Sequence, residues 1–250
     1  MKKVLIFGSS HIGAIKNGLE LYKLHRTPSL DYSFLGFSQP RFKRSFVIED
    51  GVIRSTKKGI SRTVQRLFGH GKVVHLSSFD AIIYLDGPCL LDLSLYCPTD
   101  SVRPVSRELV KSIIFNRALG SYFRQLQDCC APKRLYYLGK PLKSENAALT
   151  TEHDQHDQSQ EALSERRILS SLQTAVRDVC DRSLKDESQP NYLVPPPVLL
   201  DQTGFLTRRE FMSEGARFDG RTRELNDPDV SHGNAVYGKI IIEHLEKLLG

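Results

Sequence analysis

Strand-length apolar runs that alternate with helix-period stretches constrain the fold of this chain more than any other feature. "KVLIFG" (Lys3 to Gly8), "YSFLGF" (Tyr32 to Phe37), "DAIIYLDG" (Asp80 to Gly87) and "KRLYYLG" (Lys133 to Gly139) each run into a glycine or a turn residue. Continuous apolar character of that length is the mark of strands buried on both faces, as in a parallel sheet. A shorter run, "NYLV" (Asn191 to Val194), precedes the triple proline Pro195 to Pro197 and reads as a fifth strand. Helix candidates lie between the runs: His11 to Leu24, Val105 to Leu126, Ala162 to Leu184 and Ala235 to Leu249. Leu169, Leu172, Val176 and Val179 in the third, and Tyr237, Ile241, His244, Leu245 and Leu248 in the last, repeat at the spacing of one buried helix face. Strands alternating with helices predict an α/β fold, a doubly wound parallel sheet of about five strands with helices on both faces. "SFVIEDGVIRS" (Ser45 to Ser55) breaks the pattern after the second strand, and its Asp50-Gly51 pair predicts an inserted β-hairpin.

A length of 250 residues suits one such domain over residues 1–250, able to bury about three-quarters of its unfolded surface. After Lys2 and Lys3 the apolar stretch Val4 to Phe7 is too short for a signal peptide, and no segment reaches the roughly 20 apolar residues of a spanning helix. A cytoplasmic protein with no membrane partner is therefore expected. The five cysteines, Cys89, Cys97, Cys129, Cys130 and Cys180, form no CxxC pair and are odd in number, which argues for reduced thiols over a zinc ribbon or a disulfide scaffold.

Charge is uneven. Residues 1–80 carry 14 Lys and Arg against 5 Asp and Glu, while Glu145 to Glu165 holds six acids and no base. A basic region can steer an anionic polymer, but no aromatic-basic stacking module accompanies it, so a solvated surface is expected and a nucleic-acid partner is not. In "EHDQHD" the spacing of Glu152, His153, Asp154, His156 and Asp157 matches no standard metal motif, and the polar run Ser144 to Ala162 reads as a loop. "GHGKVVHL", with His70, Lys72 and His75, contains no Walker pattern and reads as a surface turn. No metal or cofactor is expected.

Two stretches remain, at opposite ends of the chain. Ligands of doubly wound sheets bind beyond the carboxyl ends of the strands, where strand order reverses. "IFGSSH" has that placement: Gly8 permits a tight strand-to-helix turn, and Ser9, Ser10 and His11 fall at a helix N-terminus. Serine is also the preferred N-cap, so this stretch fits a cap as well as a nucleophile. In "DVSHGN" the Asp229 carboxylate and the His232 imidazole are three residues apart, close enough for the acid to hold Nδ1 and leave Nε2 free as a base.

Together, Gly-x-Ser after the first strand and Asp-x-x-His before a final amphipathic helix resemble the SGNH (GDSL-type) hydrolase superfamily. The resemblance extends over most of the chain in architecture and implies a flavodoxin-like sheet, with Ser10 as nucleophile, His232 as base and Asp229 as its orienting acid. It also implies an oxyanion hole from the backbone N–H groups of Ser10 and of Gly36 in "SFLGFSQ", completed by an asparagine amide after the third strand. Here "YLDGPCL" puts Cys89 in the amide's place, and a thiol donates hydrogen bonds poorly. One lost oxyanion donor costs on the order of 10²–10³ in turnover; Asn116 and Asn234 are the candidates to replace it. Ser9, in place of the family's aspartate, His11 and Asn234 are candidates for substrate contact, His11 also for a structural role. The implied activity is that of a serine esterase removing or transferring a small acyl group, such as acetyl, on a carbohydrate or related metabolite. The alternative is a catalytically weak or inactive protein of the same fold that binds an anionic ligand.

Overall fold

The first strand, β1 (Lys2–Gly8), owes its interior place in the sheet to side chains that are apolar on both faces: Val4 and Ile6 enter one core and Leu5 and Phe7 another, all fully buried. The computed structural model describes residues 1–37, 45–68, 73–85, 122–139, 141, 191–201, 207–212 and 232–250. Within them β1 pairs in parallel with β2 (Leu30–Gly36) on one side and with β6 (Ala81–Leu85) on the other; β7 (Leu135–Leu138) and β8 (Asn191–Leu193) continue the sheet. The order β2-β1-β6-β7-β8 is that of a doubly wound sheet, as the alternation predicts, and all five expected strands are present. Helix α1 (Ile12–Lys23) and the final helix α4 (Ala235–Leu249) cover one face, while α3 (Tyr122–Cys129) covers the other. Among the described residues no helix is long and apolar enough to cross a membrane.

The insertion is larger than the expected hairpin. β3 (Phe46–Glu49) and β4 (Val52–Ser55) turn through Asp50 (φ 51°) and Gly51 (φ 72°), the two-residue turn that Asp-Gly favours. A helix α2 (Lys58–Phe68) and a third antiparallel strand β5 (Val73–His75) complete it, so "GHGKVVHL" supplies a strand where a surface turn was expected. Val74 pairs with Ile53 and is buried, which outweighs the polar residues around it. The outer edge of β3 is closed by side chains of α3: the Tyr122 hydroxyl accepts from the Phe46 N–H (3.1 Å) and the Gln125 Oε1 from the Ile48 N–H (3.1 Å).

One helix boundary and one helix face differ from expectation. The helix expected to end at Leu126 runs on to Cys129. In α4 the buried stripe is Tyr237, Gly238, Ile241, Ile242, Leu245 and Leu249; Leu248 is 37% exposed and His244 half-buried, so the core face is rotated from the expected one. The expected helix over 162–184, the loop over 144–162 and the stretch "EHDQHD" lie outside the described residues.

Candidate active site

Three strand ends stand level at the carboxyl edge of the sheet, where Gly8 pairs with Gly36 on one side and with Leu85 on the other. The chain leaves β1 toward β2 and later returns to β6 on the opposite flank, so Gly8 lies at the reversal of strand order. A Cβ at Gly8 would collide with the Leu85 carbonyl oxygen, the same oxygen that accepts from the Ser9 N–H at 3.2 Å. Glycine is therefore required for β1 to turn this tightly against its neighbour.

Beyond Gly8 the chain winds at once into α1. The Ile12 and Gly13 N–H groups donate to the Ser9 and Ser10 carbonyls, at 3.2 and 3.0 Å. The N-cap position falls on His11, whose side chain makes no capping hydrogen bond. Ser10 thus does not act as the cap its residue type favours; its hydroxyl is spent elsewhere, with Oγ 2.9 Å from His232 Nε2 across 222 residues of sequence. Both residues are part-buried.

His232 is held from the other end. Asn234 caps α4, its Oδ1 accepting from the Tyr237 N–H at 3.0 Å, while its Nδ2 donates to the Glu210 carbonyl at 2.7 Å and its own N–H to the Phe211 carbonyl at 2.8 Å. These bonds tie Asn234, two residues after His232, to the short turn Arg209–Phe211. A single turn further on, α4 meets α1 with no side chain between them: a Cβ on Gly238 would strike the Ala14 carbonyl, and one on Gly18 would strike the Gly238–Lys239 backbone. The starts of the two helices are thereby fixed against each other, and with them Ser10 and His232. This seam escaped the reading of the sequence, although Ala14 and Gly18, four apart on one face of a helix, are the signal that could have found it.

The other expected residues fall as follows. Ser9 is fully buried, and among the described residues its hydroxyl has no hydrogen-bond partner, while the Ser10 hydroxyl meets His232. His11 is 7% exposed and stacks on His232, ring centroids 4.5 Å apart and planes 25° from parallel. Asn234 has both ends of its amide engaged in the framework just described. Gly36 lies at the site edge, packed against the Gly8 carbonyl and Ile12. Asp229, Cys89 and Asn116 lie outside the described residues. Cys129 and Cys130 are free thiols, and burial pushes Cys130 up to about 11, which removes it as a rival nucleophile near neutral pH. Among the described residues no three His, Cys, Asp or Glu side chains gather as metal ligands would.

No family model matches the chain, and no curated protein matches it. Among solved structures it is similar to the periplasmic domain of a lipopolysaccharide acetyltransferase from Salmonella ser. Paratyphi A, at 10% identity and a TM-score of 0.44 over 99% of this chain and 83% of that one. It is also similar to a "putative acylhydrolase" from Bacteroides fragilis, at 8% identity and a TM-score of 0.41 over 99% and 86% of the two chains.

Proposed function

We propose that the protein is a serine-dependent acyl-transfer enzyme that cleaves or transfers a small acyl ester, with Ser10 as nucleophile and His232 as base. The observation that carries this is the 2.9 Å contact between Ser10 Oγ and His232 Nε2 at the carboxyl edge of β1, made by residues 222 apart in sequence. A serine serving only as a helix cap would turn its hydroxyl to backbone N–H groups of its own helix, and Ser10 turns instead to an imidazole.

In this reading Ser10 Oγ attacks the ester carbonyl carbon as its proton passes to His232 Nε2. Negative charge develops on the carbonyl oxygen and rests on the backbone N–H groups of Ser10 and Gly36. The carbonyl–oxygen bond to the alcohol then breaks, His232 returns the proton to the departing alkoxide, and an acyl-serine remains. Water, or a sugar hydroxyl, attacks that acyl group through the same proton relay. Asp229, three residues before His232, is assigned to Nδ1, where a carboxylate fixes the tautomer and steadies the imidazolium. Acetyl groups on a carbohydrate or related metabolite are the proposed substrate class, and the cell interior the proposed location. They follow from the likeness of the Gly-x-Ser and Asp-x-x-His stretches to SGNH hydrolases.

The test is labelling with a fluorophosphonate, read by intact mass and peptide mapping. The expected result is one adduct on Ser10 in the wild type and none in Ser10→Ala or His232→Ala. An unlabelled wild type, or an adduct on Ser9, overturns the assignment and favours the second reading, a binding protein for an anionic ligand, to which Cys89 in place of the oxyanion amide points.

A further inference from the structure

The base is touched on two sides by consecutive residues. Ser10 meets the edge of the His232 ring at Nε2, and His11 covers its face, with centroids 4.5 Å apart and ring planes within 25° of parallel. His11 is 7% exposed, so its ring is part of the packed interior rather than a group waiting at the surface. We infer that His11 is a positioning residue for His232: its ring is the flat wall that sets the plane of the base, so that Nε2 stays aimed at the Ser10 hydroxyl. The inference rests on the reading of Ser10 and His232 as nucleophile and base.

The physical need is clear from the histidine side chain. Rotation about its last torsion is broad, because an sp³–sp² bond has no sharp staggered wells. Hydrogen bonds made in the ring plane, at Nε2 by Ser10 and at Nδ1 by the assigned Asp229, hold the ring's edge but leave its plane able to pivot about the line between them. A face-to-face neighbour removes the pivot. Offset-stacked rings at this separation attract one another beyond the area they bury, and His11 is itself locked by burial.

Its place in the sequence adds a second property. His11 follows the nucleophile directly and occupies the N-cap position of α1 without making the capping hydrogen bond. The wall and the nucleophile are therefore carried by one backbone turn, bounded by the Ile12–Ser9 and Gly13–Ser10 hydrogen bonds. A small movement of α1 carries the nucleophile and the wall together, so the spacing between those two is preserved. A wall on another element would not move in step.

The experiment compares His11→Leu, which keeps an apolar side chain of similar volume but no ring, with His11→Phe, which restores a flat ring without nitrogen atoms. The rate of fluorophosphonate adduct formation on Ser10 is measured in both, with circular dichroism to verify the fold. Misalignment of catalytic groups costs up to about a hundredfold, so His11→Leu is expected to label roughly ten- to a hundredfold more slowly, and His11→Phe to recover most of the loss. Equal rates in wild type and His11→Leu overturn the inference, as does a Phe variant as slow as the Leu variant. A wild type that does not label at all fails the nucleophile assignment instead, so the two failures are distinct. If His11→Leu does not fold, the wild type still answers through NMR of its histidine rings: a nuclear Overhauser contact between the His11 and His232 ring protons is expected, and its absence overturns the stacking.

Discussion

On one face of the sheet α1 and α4 meet backbone to backbone at Ala14, Gly18 and Gly238, whereas on the other face α3 and the insert meet the strands through large rings. Phe7, Phe46, Tyr84, Tyr122, Phe123 and Tyr137 form that second layer, with centroids 5.1 to 6.2 Å apart in edge-on and tilted contacts. A ring layer can absorb a displaced element by changing rotamers and tilts. A seam of bare backbone cannot, because no torsion remains to adjust. The rigid arrangement is found where two helix starts must hold a 2.9 Å contact, and the adjustable one where only burial is needed.

The comparison is broken most severely by Gly238→Ala. The new methyl has to displace α4 from the Ala14 carbonyl, so the cost is expected at or above the top of the ~1–3 kcal/mol range for overpacked sites. Denaturant unfolding measures this, and labelling of Ser10 in the folded fraction is expected to fall about a hundredfold; an unchanged rate would mean that the seam does not set the site. Tyr122→Phe strikes the other face. It keeps the ring and removes the hydroxyl that accepts from Ser45 and Phe46 N–H groups, an expected loss of about 1–3 kcal/mol with the labelling rate untouched. Asn234→Ala is expected to cost less in stability, about 1 kcal/mol for the lost cap, yet to slow labelling, because it frees the start of α4 beside His232. The two variants should thus rank oppositely by unfolding and by labelling; the same rank in both assays would remove the distinction between the faces.

The smallest effect concerns pH. Burial, with Lys247 nearby, pushes the His244 imidazole below its ordinary value in the folded protein. The unfolded chain therefore takes up a proton at a higher pH than the folded chain does, and stability falls as pH drops below about 6.5. His244→Gln is expected to flatten the dependence of Tm on pH in that window; an unaltered slope would assign it to other groups.

Much of the scaffold was readable from residue order. Apolar continuity marks β1, β2, β6, β7 and β8, and the bounds of α4 fall where the pattern puts them, because strands buried on both faces and long amphipathic helices leave strong local signals. β5 has no such local signal, since its three residues, Val73 to His75, carry almost no periodicity and gain their strand character from pairing with β4. Spacing predicts Leu248 in the α4 stripe where Leu249 is buried, a rotation that spacing alone does not resolve. At the candidate site, "GSSH" and "DVSHGN" could be read as chemistry, but cap and nucleophile demand the same residue type at the same position. Their separation depends on which partner the hydroxyl finds, and a partner 222 residues away has no local signature.

That long span also has a consequence in time. A ribosome emits roughly 5–20 residues per second, so Ser10 leaves the exit tunnel about ten to forty seconds before His232. Throughout that interval the Ser10 hydroxyl is without its His232 partner. Under the proposed function, docking of α4 onto α1 is therefore also the moment at which the Ser10–His232 pair is completed and reactivity toward esters begins.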